Sequence, residues 1–293
     1  MRNKPIPGVT RRATFTPEFV EREYNNRAAV PDHPAWFRRW AELSLAAREQ
    51  YRPQLDVRYG PAPKETLDLF VPDDKAQGTL VFIHGGYWRA LDKIDHSFVA
   101  TPFVEEGIAV AVVNYDLCPD VSIVAITDEC RRALLWVNAH GARHGAHAAN
   151  VVVAGHSAGG HLAAMMFATD WRAQGLAHEP FIGGVTLSGV HDLAPLVHFS
   201  FNVDFRLDDA LAAQFSPINH GSHTKAPLLA AVGGAETSEF LRQTQLIWDA
   251  WPQNRPPGSR GPLVVPDKHH FSVVVDYANP ESELTRATLA LFR

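Results

Sequence analysis

The chain has 293 residues, 46% of them hydrophobic, with 27 basic against 32 acidic side chains and a formal net charge of −5. That length can bury one large core, and the even spread of apolar runs predicts a single domain over 1–293. With no long run of either sign, neither nucleic acid nor an anionic membrane surface is the expected partner.

Two cysteines, Cys118 and Cys130, form no spacing motif, which argues against a disulfide framework and against zinc. Residues 1–15 carry charge but no apolar stretch of signal-peptide length. No apolar run approaches the ~20 residues of a membrane span, so the expected location is the cytoplasm.

The first 50 residues read as a helical extension. Thr16-Pro17-Glu18 has the form of a capped helix start, and Trp36, Trp40, Leu43 and Ala47 recur at spacings of three and four. Such an extension either covers an active site or packs behind the main body, the second being the plainer expectation.

Strands are predicted at 55–59 and 66–71, with Gly60-Pro61-Ala62-Pro63 between them as the turn of a hairpin at a sheet edge. Continuous apolar runs at 80–83 and 108–113 predict strands covered on both faces, separated by helix near 95–106. A helix around 128–139 leads to a strand ending in Val151, Val152 and Val153, with a helix from His161 to Met166 soon after. Later strands fall at 184–187, 228–232 and 263–265, and later helices at 236–251 and from 281 onward. The alternation predicts the α/β class, a mostly parallel central sheet with helices on both faces.

Between the valine strand and its helix stands Gly155-His156-Ser157-Ala158-Gly159, a G-x-S-x-G. Alone this five-residue pattern is weak. A sharp strand-to-helix reversal gives it meaning: it holds the Ser157 hydroxyl at the tip of the turn and aims the Ala158 N–H where an oxyanion would form. A serine hydroxyl is a poor nucleophile at neutral pH, so it needs a base and a carboxylate to orient that base.

Glu236 follows the 228–232 strand on the turn Gly233-Gly234, and His270 follows the 263–265 strand. The order Ser157, Glu236, His270 is that of nucleophile, acid and histidine in α/β-hydrolases. Asp192, Asp267 and Glu239 are rival acids, and His269 is a rival base. His84-Gly85-Gly86-Tyr87-Trp88, directly after the 80–83 strand, suits a second source of oxyanion N–H groups, with Tyr87 and Trp88 as flat pocket walls.

With these residues in place the chain resembles an α/β-hydrolase of the kynurenine formamidase (arylformamidase) type, near the hormone-sensitive-lipase-like esterases. The likeness spans nearly the whole length. It is carried by Tyr24-Asn25-Asn26-Arg27, Tyr59-Gly60 with Leu67 to Phe70, His84 to Trp88, Gly155 to Gly160, Ser188-Gly189 with Asp192-Leu193, Ser216-Pro217, Gly233-Gly234 with Glu236, Glu239-Phe240 and Gln243, and His270-Phe271. The resemblance implies Ser157 as nucleophile, His270 as base, and Gly85, Gly86 and Ala158 as oxyanion donors. His191 stands where relatives often have Tyr, and His269 where Asn is more usual, so both bear on the substrate pocket.

The resemblance further implies an aryl formamide or other N-acyl aryl amine as substrate, N-formylkynurenine among them, with short acyl esters as the alternative. His156, beside the nucleophile, joins Tyr87, Trp88 and His191 as expected pocket or supporting residues. His140, His144 and His147, and His220 with His223, match no strong zinc spacing, and no metal or organic cofactor is expected. Phe199, Phe201 and Phe205 suit either an insertion over the site or a satellite core cluster. A small-molecule substrate is the expected partner; a homodimer is one oligomeric state the sequence allows. A binding protein on the same fold, with the pocket kept as a receptor, is the reading from outside the enzyme classes.

Overall fold

The protein is described by a computed structural model that covers residues 15–293. The stretch read for a signal peptide lies almost wholly outside the described residues. Among the described residues, eight strands form one sheet: β1 (Gln54–Arg58), β2 (Thr66–Phe70), β3 (Gly78–Ile83), β4 (Ile108–Val113), β5 (Val151–His156), β6 (Gly183–Leu187), β7 (Leu228–Gly233) and β8 (Leu263–Val265). Their spatial order is β1-β2-β4-β3-β5-β6-β7-β8. The β1–β2 and β2–β4 pairs are antiparallel and the rest parallel, so the expected hairpin lies at one edge of a mostly parallel sheet.

The helices are α1 (Pro17–Tyr24), α2 (Asn26–Ala29), α3 (His33–Tyr51), α4 (Ala100–Glu105), α5 (Ile123–His140), α6 (Ala158–Phe167), α7 (Asn202–Phe205), α8 (Asp209–Gln214), α9 (Ser238–Ala250) and α10 (Glu283–Leu289). Helix α1 starts as its sequence predicts, with Thr16 Oγ1 accepting from the Phe19 N–H and Pro17 in the first turn. The stretch expected as one helix near 95–106 is a 3₁₀ turn, Lys93–Val99, running into α4. Among the described residues, no helix is long and apolar enough to cross a membrane.

The all-apolar strands sort their side chains onto two faces by the two-residue period of a strand. In β5, Val151 and Val153 join the core that includes residues of α5, α6 and α9, while Val152 and Ala154 join the core on the opposite face, beneath α3, α4 and α10. The N-terminal helices straddle this division. Val20 and Tyr24 of α1 belong to the first core and Trp40 of α3 to the second. The chain between them therefore crosses from one face of the sheet to the other.

Five histidines, His84, His96, His156, His161 and His191, are buried to 2% exposure or less. Burial pushes His84, His96 and His161 down to about 4, His191 to about 3, and His156 well below the ordinary range. A depressed folded value means that, below the ordinary ~6.5 of an unfolded histidine, the unfolded chain binds protons the folded one refuses. The stability that neutral burial preserves is full above about pH 6.5 and is lost as pH falls toward about 4. The melting temperature measured across that interval should drop, with a slope worth more than one proton. A flat profile would show that these rings accept protons without leaving the core.

Candidate active site

Strand β5 ends at His156, α6 begins at Ala158, and Ser157 alone makes the reversal, with φ 58° and ψ −120°. Such a backbone is strained for a residue with a side chain and persists only where its surroundings enforce it. Here the two flanking glycines permit the crossing. A Cβ on Gly155 would lie 2.1 Å from the Gly159 carbonyl oxygen, and one on Gly159 would lie 2.0 Å from that of Ile83. The Ser157 N–H donates to Leu187 O at 2.9 Å and so ties the bend to the end of β6.

Three further chain segments leave the sheet at the same ends. Ser188 follows β6, Glu236 follows β7 and His270 follows β8, and β5, β6, β7 and β8 are consecutive neighbours. His270 Nδ1 donates to Glu236 Oε2 at 2.7 Å, which leaves Nε2 to accept from the Ser157 hydroxyl at 2.9 Å. The second carboxylate oxygen, Glu236 Oε1, accepts from Ser188 Oγ at 2.5 Å and from the Gly233 N–H at 2.9 Å. An imidazole so placed can take the serine proton while the carboxylate fixes its tautomer.

The rival residues are engaged elsewhere. Asp192 pairs with Arg242 at 3.5 Å, and Glu239 accepts from the Tyr24 hydroxyl at 2.8 Å. His269 accepts backbone N–H groups at its Nδ1 and meets Trp36 edge-on at 5.0 Å, while Asp267 is exposed.

The loop after β3 turns sharply, with positive φ at Gly86, Tyr87 and Trp88 in succession. A Cβ on Gly86 would lie 2.0 Å from Ala90 O. Gly85 lies against Ser157: a Cβ on it would be 3.0 Å from that of Ser157. Carbonyls in this loop are held by neighbouring groups, since the Tyr115 hydroxyl donates to His84 O at 2.8 Å and His84 Nδ1 donates to Gly85 O at 2.8 Å. Ala158 opens α6, and the N–H of a first helical residue has no partner within its helix.

A cleft that opens to solvent reaches Ser157 and His270. Gly86, Tyr87 and His156 line it, as do the rings of Phe37, Trp40, Phe201 and Phe271. Two expected pocket residues are absent from its wall. Trp88 is fully buried, edge-on to His161 at 5.1 Å and Phe205 at 5.5 Å; the turn that presents Tyr87 to the cavity sends Trp88 into the core behind the loop. His191 is also fully buried, with Nε2 3.1 Å from Thr186 Oγ1, so it supports the sheet rather than facing a ligand. His156 donates from Nε2 to His270 O at 3.0 Å and steadies the loop that carries that residue.

The plainer expectation for the first 50 residues is corrected. Asn25, Asn26 and Arg27, where the chain crosses between α1 and α3, line the cavity together with Phe37 and Trp40 of α3. Trp40 Nε1 donates to Phe271 O at 3.0 Å, next to His270, and Tyr87 Oη donates to Tyr24 O at 2.7 Å. The amphipathic spacing around Trp40 reveals a helix but not which side of the sheet it covers. Ser188 was legible only as part of a family pattern, and its hold on Glu236 depends on the segments after β6 and β7 meeting.

Replacing Gly159 by Ala should lower stability by about 3 kcal/mol, because the methyl group must displace a backbone carbonyl. Urea denaturation measures this, and an unchanged midpoint would mean the bend has room the geometry denies.

Comparison with known proteins follows the same lines. The BD-FAE family model matches residues 67–180. The kynurenine formamidase of Danio rerio is 29% identical over 256 residues, covering 84% of each chain, and that of Salmo salar is 28% identical over 81% of each. A crystal structure from Silicibacter sp. TM1040, described as a candidate thioesterase, is 33% identical with a TM-score of 0.79 over 91% of this chain and 97% of that one. Esterase B of Lactobacillus rhamnosis, at 19% identity and a TM-score of 0.66 over 91% of this chain and 96% of its own, shares the fold. This chain is a hydrolase and belongs to the α/β-hydrolase esterase family, with kynurenine formamidases among its homologues.

Proposed function

We propose that the protein is a serine hydrolase that removes the acyl group from a small aryl amide, an N-formylkynurenine or related N-acyl aryl amine. The observation that carries this reading is the unbroken chain of hydrogen bonds from Ser157 through His270 to Glu236 at the floor of an aromatic-walled cavity.

In this mechanism Ser157 Oγ attacks the acyl carbon as its proton passes to His270 Nε2. Negative charge develops on the acyl oxygen, which the N–H groups of Gly85, Gly86 and Ala158 receive. The protonated imidazole, steadied by Glu236, then delivers its proton to the leaving amine, and the C–N bond breaks to give an acyl-enzyme. Water, activated by His270, releases the acid and restores the serine. Aryl rings of the substrate find flat apolar partners in Phe37, Trp40 and Phe271.

The test is a substrate panel with kcat/KM measured on N-formylkynurenine, an N-acyl anthranilate and p-nitrophenyl acetate. Turnover of aryl amides supports the proposal. Turnover of esters alone would replace it with a short-chain carboxylesterase, since an ester has the better leaving group. Failure of Ser157 to react with a fluorophosphonate would favour a non-catalytic receptor. Ser157→Ala should lose at least ~10⁴-fold in kcat, and Glu236→Gln should leave more activity than that. Ser188→Ala, which frees one oxygen of Glu236, should lower kcat about tenfold with KM nearly unchanged; wild-type kcat in that variant would remove Ser188 from the positioning chain.

A further inference from the structure

Among the described residues, those lining the cavity above Ser157 carry positive charge and no acidic side chain. Among the residues lining it are Arg27 and Arg89, and none is aspartate or glutamate. Arg89 is already committed: its guanidinium pairs with Asp204 and lies 4.5 Å over the Phe201 ring. Arg27 is not. Its guanidinium sits 5.5 Å over the ring of Phe37, another cavity residue, and among the described residues it has no ion-pair partner.

Beside it, Asn26 is 6% exposed and lines the same cavity, and its side-chain nitrogen is buried without a hydrogen-bond partner among the described residues. A buried amide left unpaired is costly, which makes it a place where a ligand's oxygen gains more than it loses. A planar guanidinium over an aromatic face, next to a spare amide, suits a carboxylate attached to a ring.

We infer that Arg27 and Asn26 form an anion subsite that holds the carboxylate of an aromatic substrate. This rests on the hydrolase reading of the same cavity and adds to it which substrates are preferred and which residues select them. The N-terminal extension then supplies the specificity of the site, while the sheet supplies its chemistry. Substrates of matching ring and acyl group but without the charge bind less well, because the amide then gains no anionic acceptor and the guanidinium keeps only the Phe37 ring and solvent. Arg27 is exposed enough for salt to screen it, so the preference weakens as ionic strength rises.

Binding to the Ser157→Ala protein, measured by calorimetry, tests the subsite without requiring turnover. The probes are 2-formamidobenzoate and 4-formamidobenzoate, each beside its uncharged primary amide. At least one carboxylate should bind about tenfold more tightly than its amide. In Ser157→Ala/Arg27→Gln that advantage should fall to about twofold or less, with the amide unaffected, and Arg27→Lys should restore part of it. Melting temperatures of the variants confirm that they fold.

Equal binding of acid and amide in both pairs overturns the inference, as does an equal loss for both in Arg27→Gln, or no binding by any probe. Failure of the amide-hydrolase reading looks different. An enzyme that cleaves only esters would still bind the carboxylates preferentially, and would then turn over 2-acetoxybenzoate more efficiently than its methyl ester.

Discussion

The parallel register of four neighbouring strands is the constraint on which the site depends. Strands β5, β6, β7 and β8 end side by side, and the backbone ladder continues just beyond them. Ser157 donates to Leu187 O, Ser188 to Ala231 O, and Gly234 to Val265 O. Parallel neighbours lie about 4.8 Å apart, so groups at four adjacent ends span a distance that short polar side chains can bridge. Ser157, Ser188, Glu236 and His270 do bridge it. The arrangement follows the general preference of open α/β sheets for sites at the carboxyl ends of strands.

Polar groups in this region are costly to bury singly, and the structure resolves the cost by pairing them. Glu236 is fully buried at its side chain, yet each of its oxygens accepts a hydrogen bond. A carboxylate so satisfied remains in one orientation and holds the imidazole with it. The same logic ties the extension down: Tyr24 donates to Glu239 and accepts from Gln243 within the first core, while Gln243 Oε1 accepts from the N–H groups of His191 and Asp192. An extension anchored in this way is part of the wall of the cavity.

The polarity of the cavity also follows from this division of labour. The sheet contributes the serine, the imidazole and the carboxylate, which are common to many chemistries on the fold. The crossing segment and α3 contribute Asn26, Arg27, Phe37 and Trp40, which line the cavity. Changes of substrate within such a framework therefore fall on the extension and the loop after β3 more readily than on the sheet.

The sequence by itself determined the elements whose signal is local. All eight strands are legible as apolar or alternating runs, the reversal at Ser157 is legible because glycines are needed on both sides of it, and the order of Ser157, Glu236 and His270 is legible because each follows a strand end. What lies across the sheet was not legible. Trp88 and His191 read as pocket residues, but the positive φ values at Tyr87 and Trp88 send neighbouring rings to opposite sides, and His191 turns back to Thr186. The helical stripe around Trp40 specified a buried face without naming its partner. Only the tertiary structure decided that this face meets Phe271 and that Asn26 and Arg27 line the cavity that reaches the serine. A side chain's periodicity records that it is buried, whereas the neighbour that buries it comes from a segment hundreds of residues away.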